Sequence, residues 1–215
     1  MKYPDCRLLI FSRAPQPGQV KTRLIPLLGE TATADLYADL VTGTLEKLTT
    51  AGLCPVDLWC SPDTGHPFFQ QCRDRFGVEL YRQSQGDLGR RMSNALAAGL
   101  QRSAAVILVG TDIPSLKAGD IAAACAALTG DSDTVLGPAV DGGYYLIGLR
   151  THHAALFEGI PWGTPGVFQA TLACMHRLKL HCHQLPRRRD LDTPEDYHWH
   201  TRNVQTGEFR KVLRR

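Results

Sequence analysis

Short apolar runs alternate along the chain with stretches in which apolar positions recur every three or four residues. The run CRLLIFS, residues 6–12, predicts a buried strand, and a Pro/Gly-rich loop follows it. Leu36, Leu40, Val41, Leu45 and Leu48 then share one face of a helix over residues 30–50. VDLWCS (56–61) and VELYRQ (78–83) predict the second and third strands, with a helix over 66–76 between them. In GDLGRRMSNALAAGL, Leu88, Met92, Leu96 and Leu100 recur every four residues, as on a helix. AAVILVG (104–110) is apolar throughout, the pattern of a strand covered by helices on both faces. A helix over 117–128, strands over 133–140 and 144–149, a helix over 165–177, a strand over 178–185 and a helix over 194–203 complete the series. This order predicts an α/β fold: one doubly wound, mostly parallel sheet in a single domain spanning 1–215, with a short basic tail from about residue 204. Such sheets bind ligands beyond the C-terminal ends of their strands. Chemistry is therefore expected in the loops after Phe11, Gln83, Val109 and Val140.

Composition narrows the class without naming it. The apolar fraction of 43% and charged fraction of 21% are those of a soluble globular protein, and the net charge is +3. Basic residues cluster only in RRRD, near residue 188, and in RKVLRR at the end, which read as solvated surface and not as a nucleic-acid face. The cysteines, at 6, 54, 60, 72, 125, 174 and 182, have no framework spacing and predict reduced thiols in the core. No run approaches the roughly 18 apolar residues of a membrane span, and the N-terminus lacks the features of a signal peptide. A cytoplasmic protein is expected.

The loop SRAPQPGQVKTRL (12–24) sets Arg13, Gly18, Lys21 and Arg23 at the end of the first strand. A stiff loop with free amides and convergent cations suits a polyphosphate, the alternative being a solvated basic loop. Its spacing is neither that of a P-loop nor that of a dinucleotide fingerprint. In QSQGDLGRRM, Gly86 permits close backbone approach to a ligand, and Asp87 is either a ligand contact or a helix cap. Arg90 and Arg91 are expected on the outer helix face.

GTDIPSL (110–116) places Asp112 at the mouth of the buried strand. Pro114 disfavours helix at Ile113, so Ser115 is the expected cap and Asp112 is left without a structural task. A hard cation such as Mg²⁺, held by one or two carboxylates and substrate phosphates, would account for it, the alternative being a turn residue. GPAVDGGYYLIGL adds Asp141, Gly142, Gly143 and Tyr144 at another strand end, as a substrate loop or a D-G hairpin turn. In RDLDTPEDY, Thr193, Pro194 and Asp196 form a helix start with a capping box. Asp190 and Asp192 are left over, and Asp192 is the candidate partner of Asp112 on one metal ion. PWGTPGVF (161–168) carries Trp162, either closing over the site or buried in the core. HCH (181–183) and HWH (198–200) lack the neighbours of a zinc site.

Taken together, RAPQPGQVKTRL, GDLGRRM, VGTDIPSL, LGPAVDGGYYLIGL, PWGTPGVF and DLDTPEDY resemble, in that order, a bacterial family of GT-A-like transferases. That family is labelled selenodomain-associated transferase or arsenosugar-biosynthesis glycosyltransferase. The resemblance spans about residues 7 to 197. It implies a nucleotide-diphospho-sugar transferase fold, shared with guanylyltransferases for phospholactate-type acids and with cytidylyltransferases. In those relatives a basic first loop grips triphosphate and two aspartates hold Mg²⁺ (or Mn²⁺), places matched here by Lys21, Arg23, Asp112 and Asp192. Two departures stand out. Thr111-Asp112-Ile113 replaces the Asp-x-Asp of many glycosyltransferases, and Arg90 stands where an acidic residue is expected.

The expected activity is Mg²⁺-dependent transfer from a nucleotide or nucleotide-sugar to a small-molecule acceptor. In glycosyl transfer Asp141 is the candidate base. The alternative is nucleotidyl transfer to a phosphate or carboxylate with release of pyrophosphate, stabilised by Arg13, Lys21 and Arg23. A second alternative is a nucleotide-binding module without catalysis.

Overall fold

The computed structural model describes residues 1–203, so the predicted basic tail and RKVLRR lie outside the described residues. The strands are β1 (Cys6–Arg13), β2 (Val56–Ser61), β3 (Glu79–Arg82), β4 (Ala105–Val109), β5 (Thr134–Pro138), β6 (Tyr144–Leu149) and β7 (Cys182–Gln184). The helices are α1 (Ile25–Leu28), α2 (Glu30–Thr50), α3 (Pro67–Phe76), α4 (Leu88–Leu100), α5 (Ala118–Thr129), α6 (Val167–Arg177) and α7 (Pro194–Asn203). All strands join one sheet in the order β3-β2-β1-β4-β6-β5-β7. Every neighbouring pair is parallel except those made by β6, which runs antiparallel between β4 and β5. The reason is local: the loop 139–143 is too short for a crossover, so β5 and β6 close as a hairpin.

The sheet is covered on both sides, as its apolar strands require. Along β1, Leu8 and Ile10 enter one core while Leu9 enters the other, the two-residue alternation of a strand. The first core takes Val41 and Leu45 of α2, Phe69 of α3 and Ile121 of α5. The second takes Met92 and Leu96 of α4 with Phe168 and Met175 of α6. Every residue of β4 is buried, and each Val, Leu or Ile so placed contributes about 1.5–3 kcal/mol.

Several boundaries differ from the sequence reading. The last strand shrinks from 178–185 to β7 because Lys179 adopts a left-handed conformation, φ 57°, just after α6. Ser115 is not the cap of α5. The helix begins at Ala118, where the Asp120 carboxylate accepts the Lys117 amide at 2.8 Å, and the Ser115 carbonyl instead accepts from Arg188 at 2.7 Å. The 3-10 turn Thr22–Leu24 and α1 were too short to register as periodic patterns.

The capping box of α7 is formed as expected. Asp196 accepts from the Thr193 amide at 2.9 Å, and Thr193 Oγ1 accepts from the Asp196 amide at 3.3 Å. Upstream, the Val140 amide donates to the Arg188 carbonyl at 2.9 Å and the Leu191 amide to the Asp112 carbonyl at 2.8 Å. These bonds lay the segment 188–192 across the ends of β5 and β4. Leu191 is fully buried against Leu24, Leu36 and Leu40, so the aspartates flanking it turn away from that core.

Candidate active site

A crevice of about 770 Å³ lies beyond the C-terminal ends of β1, β3 and β4. Arg13 ends β1, Gln83 follows β3, and Gly110 to Ile113 follow β4. The first loop contributes Lys21 and Arg23, and the C-terminal segment contributes Asp190 and Asp192. Of the loops that the strand-end rule singles out, those after Phe11, Gln83 and Val109 border this crevice, while the loop after Val140 does not.

Its charged side is built around Lys21. The lysine side chain is 3% exposed, with Nζ 2.8 Å from Asp112 Oδ1 and 3.5 Å from Asp192 Oδ1. Burial alone would lower the lysine pKa, but Asp112, Asp192 and Tyr37 outweigh it and the net shift is upward. The ammonium therefore stays charged. Its backbone is left-handed, with φ 46° and ψ 40°, a conformation that costs a non-glycine residue roughly 1–2 kcal/mol and that its anchoring contacts must offset. Arg23, largely exposed, binds the other oxygen of Asp192 at 2.7 Å. Tyr37 of α2 steadies the loop's origin, its hydroxyl accepting the Arg13 amide at 3.0 Å.

Asp190 joins this group, a residue the sequence left without a role. Its Oδ2 is buried and has no hydrogen-bond partner. Burial first, then Asp141 and Asp112, push its pKa up to about 7, with Lys21 partly opposing them. The signal was present in RDLD: a buried leucine flanked by two acids sends both to the side opposite the core.

These carboxylates fit a hard divalent cation. The donors are all oxygen, Asp112 and Asp192 stay 47% and 40% exposed, and the ammonium now bridging them occupies the position of a counter-cation. Among the described residues no three His, Cys, Asp or Glu side chains converge as a ready-made site.

Apolar and aromatic residues line the other side. Tyr144 meets Trp162 edge to face with centroids 6.2 Å apart, and burial raises the pKa of the Tyr144 hydroxyl. Trp162 packs against Gly89, where no side chain would fit. Arg91 is a correction: expected on the outer face of α4, it is half-buried, lines the crevice and donates to Gln83 Oε1 at 3.1 Å. Arg90 is exposed as expected.

The remaining predicted residues stand off the crevice wall. Asp87 caps α4, accepting the Arg90 amide at 2.8 Å, and Gly86 supplies a positive φ of 116° just before it. Asp141 accepts the Gly143 amide at 2.8 Å in the hairpin turn. Gly142, at φ 90°, packs against the Pro165 backbone and accepts from Phe168 at 2.9 Å. Gly18, at φ 77°, is an exposed turn residue facing Glu30. The basic run at 187–189 is mostly spent within the fold, Arg188 pairing with Asp120 at 2.6 Å and Arg189 with Asp196 at 2.8 Å.

Residues 44–164 match the family described as "Uncharacterized protein conserved in bacteria (DUF2064)". No curated protein matches the chain. A solved structure from Desulfovibrio desulfuricans G20, provisionally assigned as a nucleotide-diphospho-sugar transferase, is 32% identical. The match covers 98% of this chain and 94% of that one, with a TM-score of 0.89. The 4-diphosphocytidyl-2C-methyl-D-erythritol synthase of Anaerococcus prevotii has a TM-score of 0.62 at 9% identity, covering 94% of this chain and 99% of its own. The glucosyl-3-phosphoglycerate synthase of Mycobacterium tuberculosis, solved with Mn²⁺ and uridine diphosphate, reaches 0.56 at 10% identity, covering 98% and 77%. No helix among the described residues is long and apolar enough to cross a membrane.

Proposed function

The chain belongs to this bacterial family and has the fold of the nucleotide-diphospho-sugar transferases, and we propose that it is a transferase that takes a nucleotide-activated substrate in the crevice around Lys21. The observation that carries the reading is the buried ammonium of Lys21 between Asp112 and Asp192 at the strand ends. Both carboxylates line the cavity and stay nearly half exposed, within reach of a ligand.

Asp112 and Asp192 would hold Mg²⁺ or Mn²⁺, which when bound supplies charge neutralisation to the phosphates of the nucleotide. Lys21 and Arg23 hold those carboxylates in place and add positive charge where a leaving phosphate departs. Arg13 adds a further cation at the end of β1. Tyr144 and Trp162 give the other side of the crevice an aromatic surface that excludes water from a bound group. No nucleophilic side chain is required, because transfer of this kind is positioning and electrostatics.

Glycosyl transfer from a nucleotide-sugar is the first reading, in keeping with the provisional assignment of the relative that is 32% identical. Asp141, the base the sequence suggested for that reading, is close enough to Asp190 to raise its pKa but accepts the Gly143 amide in its own turn, off the crevice wall, so it would have to swing inward to reach an acceptor. Nucleotidyl transfer is the second reading, favoured by the Thr-Asp-Ile sequence at 111–113 in place of Asp-x-Asp and by a first loop rich in cations. Thermal shifts with nucleoside triphosphates and nucleotide-sugars, each with and without Mg²⁺, separate the two. At a hundredfold excess over Kd a ligand adds about 2.7 kcal/mol. A metal-dependent shift with nucleotide-sugars alone selects glycosyl transfer, and one with triphosphates selects nucleotidyl transfer. If none of these ligands shifts the melting temperature, the transferase reading is wrong.

A further inference from the structure

The crevice contains two kinds of cation, and only one kind is already neutralised. Lys21 and Arg23 are paired with Asp112 and Asp192. Arg13 and Arg91 also line the cavity, and neither forms an ion pair with a carboxylate among the described residues.

Arg91 is held in this position by the fold. Gln83 is buried at the end of β3, and its Nε2 donates to the Ser12 carbonyl at 3.1 Å and the Trp59 carbonyl at 2.8 Å. With both of these acceptors on the amide nitrogen side, Oε1 must face the other way, where Arg91 Nη1 donates to it at 3.1 Å. Gln83 thereby fixes the guanidinium beside the end of β1, where Arg13 begins its loop. Arg91 Nε is buried and has no partner. A half-buried guanidinium with one neutral acceptor, next to a second cation, is under-satisfied, and its five donors suit a planar or tetrahedral oxyanion. The local charge agrees: burial lowers the Arg91 pKa, Arg13 lowers it further, and only Asp87 opposes them.

We infer that Arg13 and Arg91, with Gln83 as the positioning residue, form an anion subsite for a phosphate or carboxylate of the substrate, separate from the Lys21 ion-pair cluster. This rests on the crevice being the substrate site and adds a chemical requirement to it: the bound molecule carries an anionic group beyond the one met at the Lys21 cluster. Phe11 and Met92 share the crevice with these cations and add apolar surface beside the polar Ser12 and Gln83.

The test uses inorganic pyrophosphate as probe on the full chain, by titration calorimetry without added divalent cation. The variants are Arg13→Gln, Arg91→Gln and, as an exposed control on the same helix, Arg90→Gln. Denaturant unfolding of each variant keeps loss of binding distinct from loss of fold. Binding weaker by tenfold or more in both Arg13→Gln and Arg91→Gln, with Arg90→Gln like the wild type, is the expected result. Wild-type affinity in folded Arg91→Gln, or equal loss in Arg90→Gln, overturns the subsite. Competition then identifies the source of the anion. Displacement of pyrophosphate by nucleoside diphosphates assigns the subsite to the nucleotide's phosphates, and simultaneous binding assigns it to an acidic acceptor. Pyrophosphate binding that depends on Arg91 in a protein that binds no nucleotide would leave the subsite standing and remove the nucleotide reading of the crevice.

Discussion

A lysine with 3% of its side chain exposed would shed its proton if it stood alone. Asp112 prevents this at 2.8 Å, while Asp192 stands off at 3.5 Å and is shared with Arg23. The two aspartates should therefore differ in their contribution to stability although both line one crevice and face Lys21. Asp112→Asn leaves a buried ammonium with a distant partner, and an unfolding cost of about 1–3 kcal/mol is expected. Asp192→Asn leaves the close pair intact and releases Arg23, 71% exposed, to water, so a cost below about 0.5 kcal/mol is expected. Both should lose metal-dependent ligand binding. Urea unfolding paired with the thermal-shift panel measures both quantities, and equal costs for the two variants would refute this division. The raised pKa of Lys21 adds a pH signature. Its contribution is fully present below the unfolded value of about 10.4 and is lost as pH rises through the higher folded value, so neutral and mildly alkaline stability should not depend on its titration.

At the scale of elements, the sequence was most legible where one helix or strand decides its own pattern. The apolar stripes of α2 and α4 and the unbroken run of β4 all appear in the core where their spacing put them. Legibility failed where a distant partner sets the boundary. Ser115 reads as a cap locally, but Arg188 takes its carbonyl and Asp120 caps the helix further on. Arg91 was a different miss, because its position was written in the same periodicity: residues 88, 91, 92 and 95 share one helical face, so a cation was sitting on the apolar stripe. At α7 the cap itself predicts a measurable effect. Burial would raise the Asp196 pKa, but hydrogen bonds from Thr193 and Arg189 outweigh it and the net shift is downward. Such a group stabilises above its unfolded pKa of about 3.9 and loses that contribution as pH falls through the folded value. Asp196→Ala should cost about 1 kcal/mol at neutral pH, and the difference from wild type should shrink below about pH 4. A cost that stays constant down to pH 2 would mean that the carboxylate charge plays no part in the cap.

At the scale of the whole molecule, the crevice is assembled from chain segments that share no local pattern: the loop carrying Lys21, the strand end carrying Asp112, and the segment carrying Asp190 and Asp192. The sequence supplied the residue types, but their convergence depends on long-range bonds, above all the Leu191 amide on the Asp112 carbonyl at 2.8 Å and Arg188 on Asp120 at 2.6 Å. A ligand that bridges these segments has to stabilise them as a unit, because local opening of any one would release it. Hydrogen exchange reads this directly. On adding the nucleotide and divalent cation that give the largest thermal shift, amides in 110–116 and 188–193 should slow together with those in 19–24, while α3, packed away from the crevice, keeps its rate. Asp112→Asn should abolish the joint protection. Protection confined to the first loop would show that the ligand is held by the basic residues alone, and the C-terminal aspartates would then lose their place in the site.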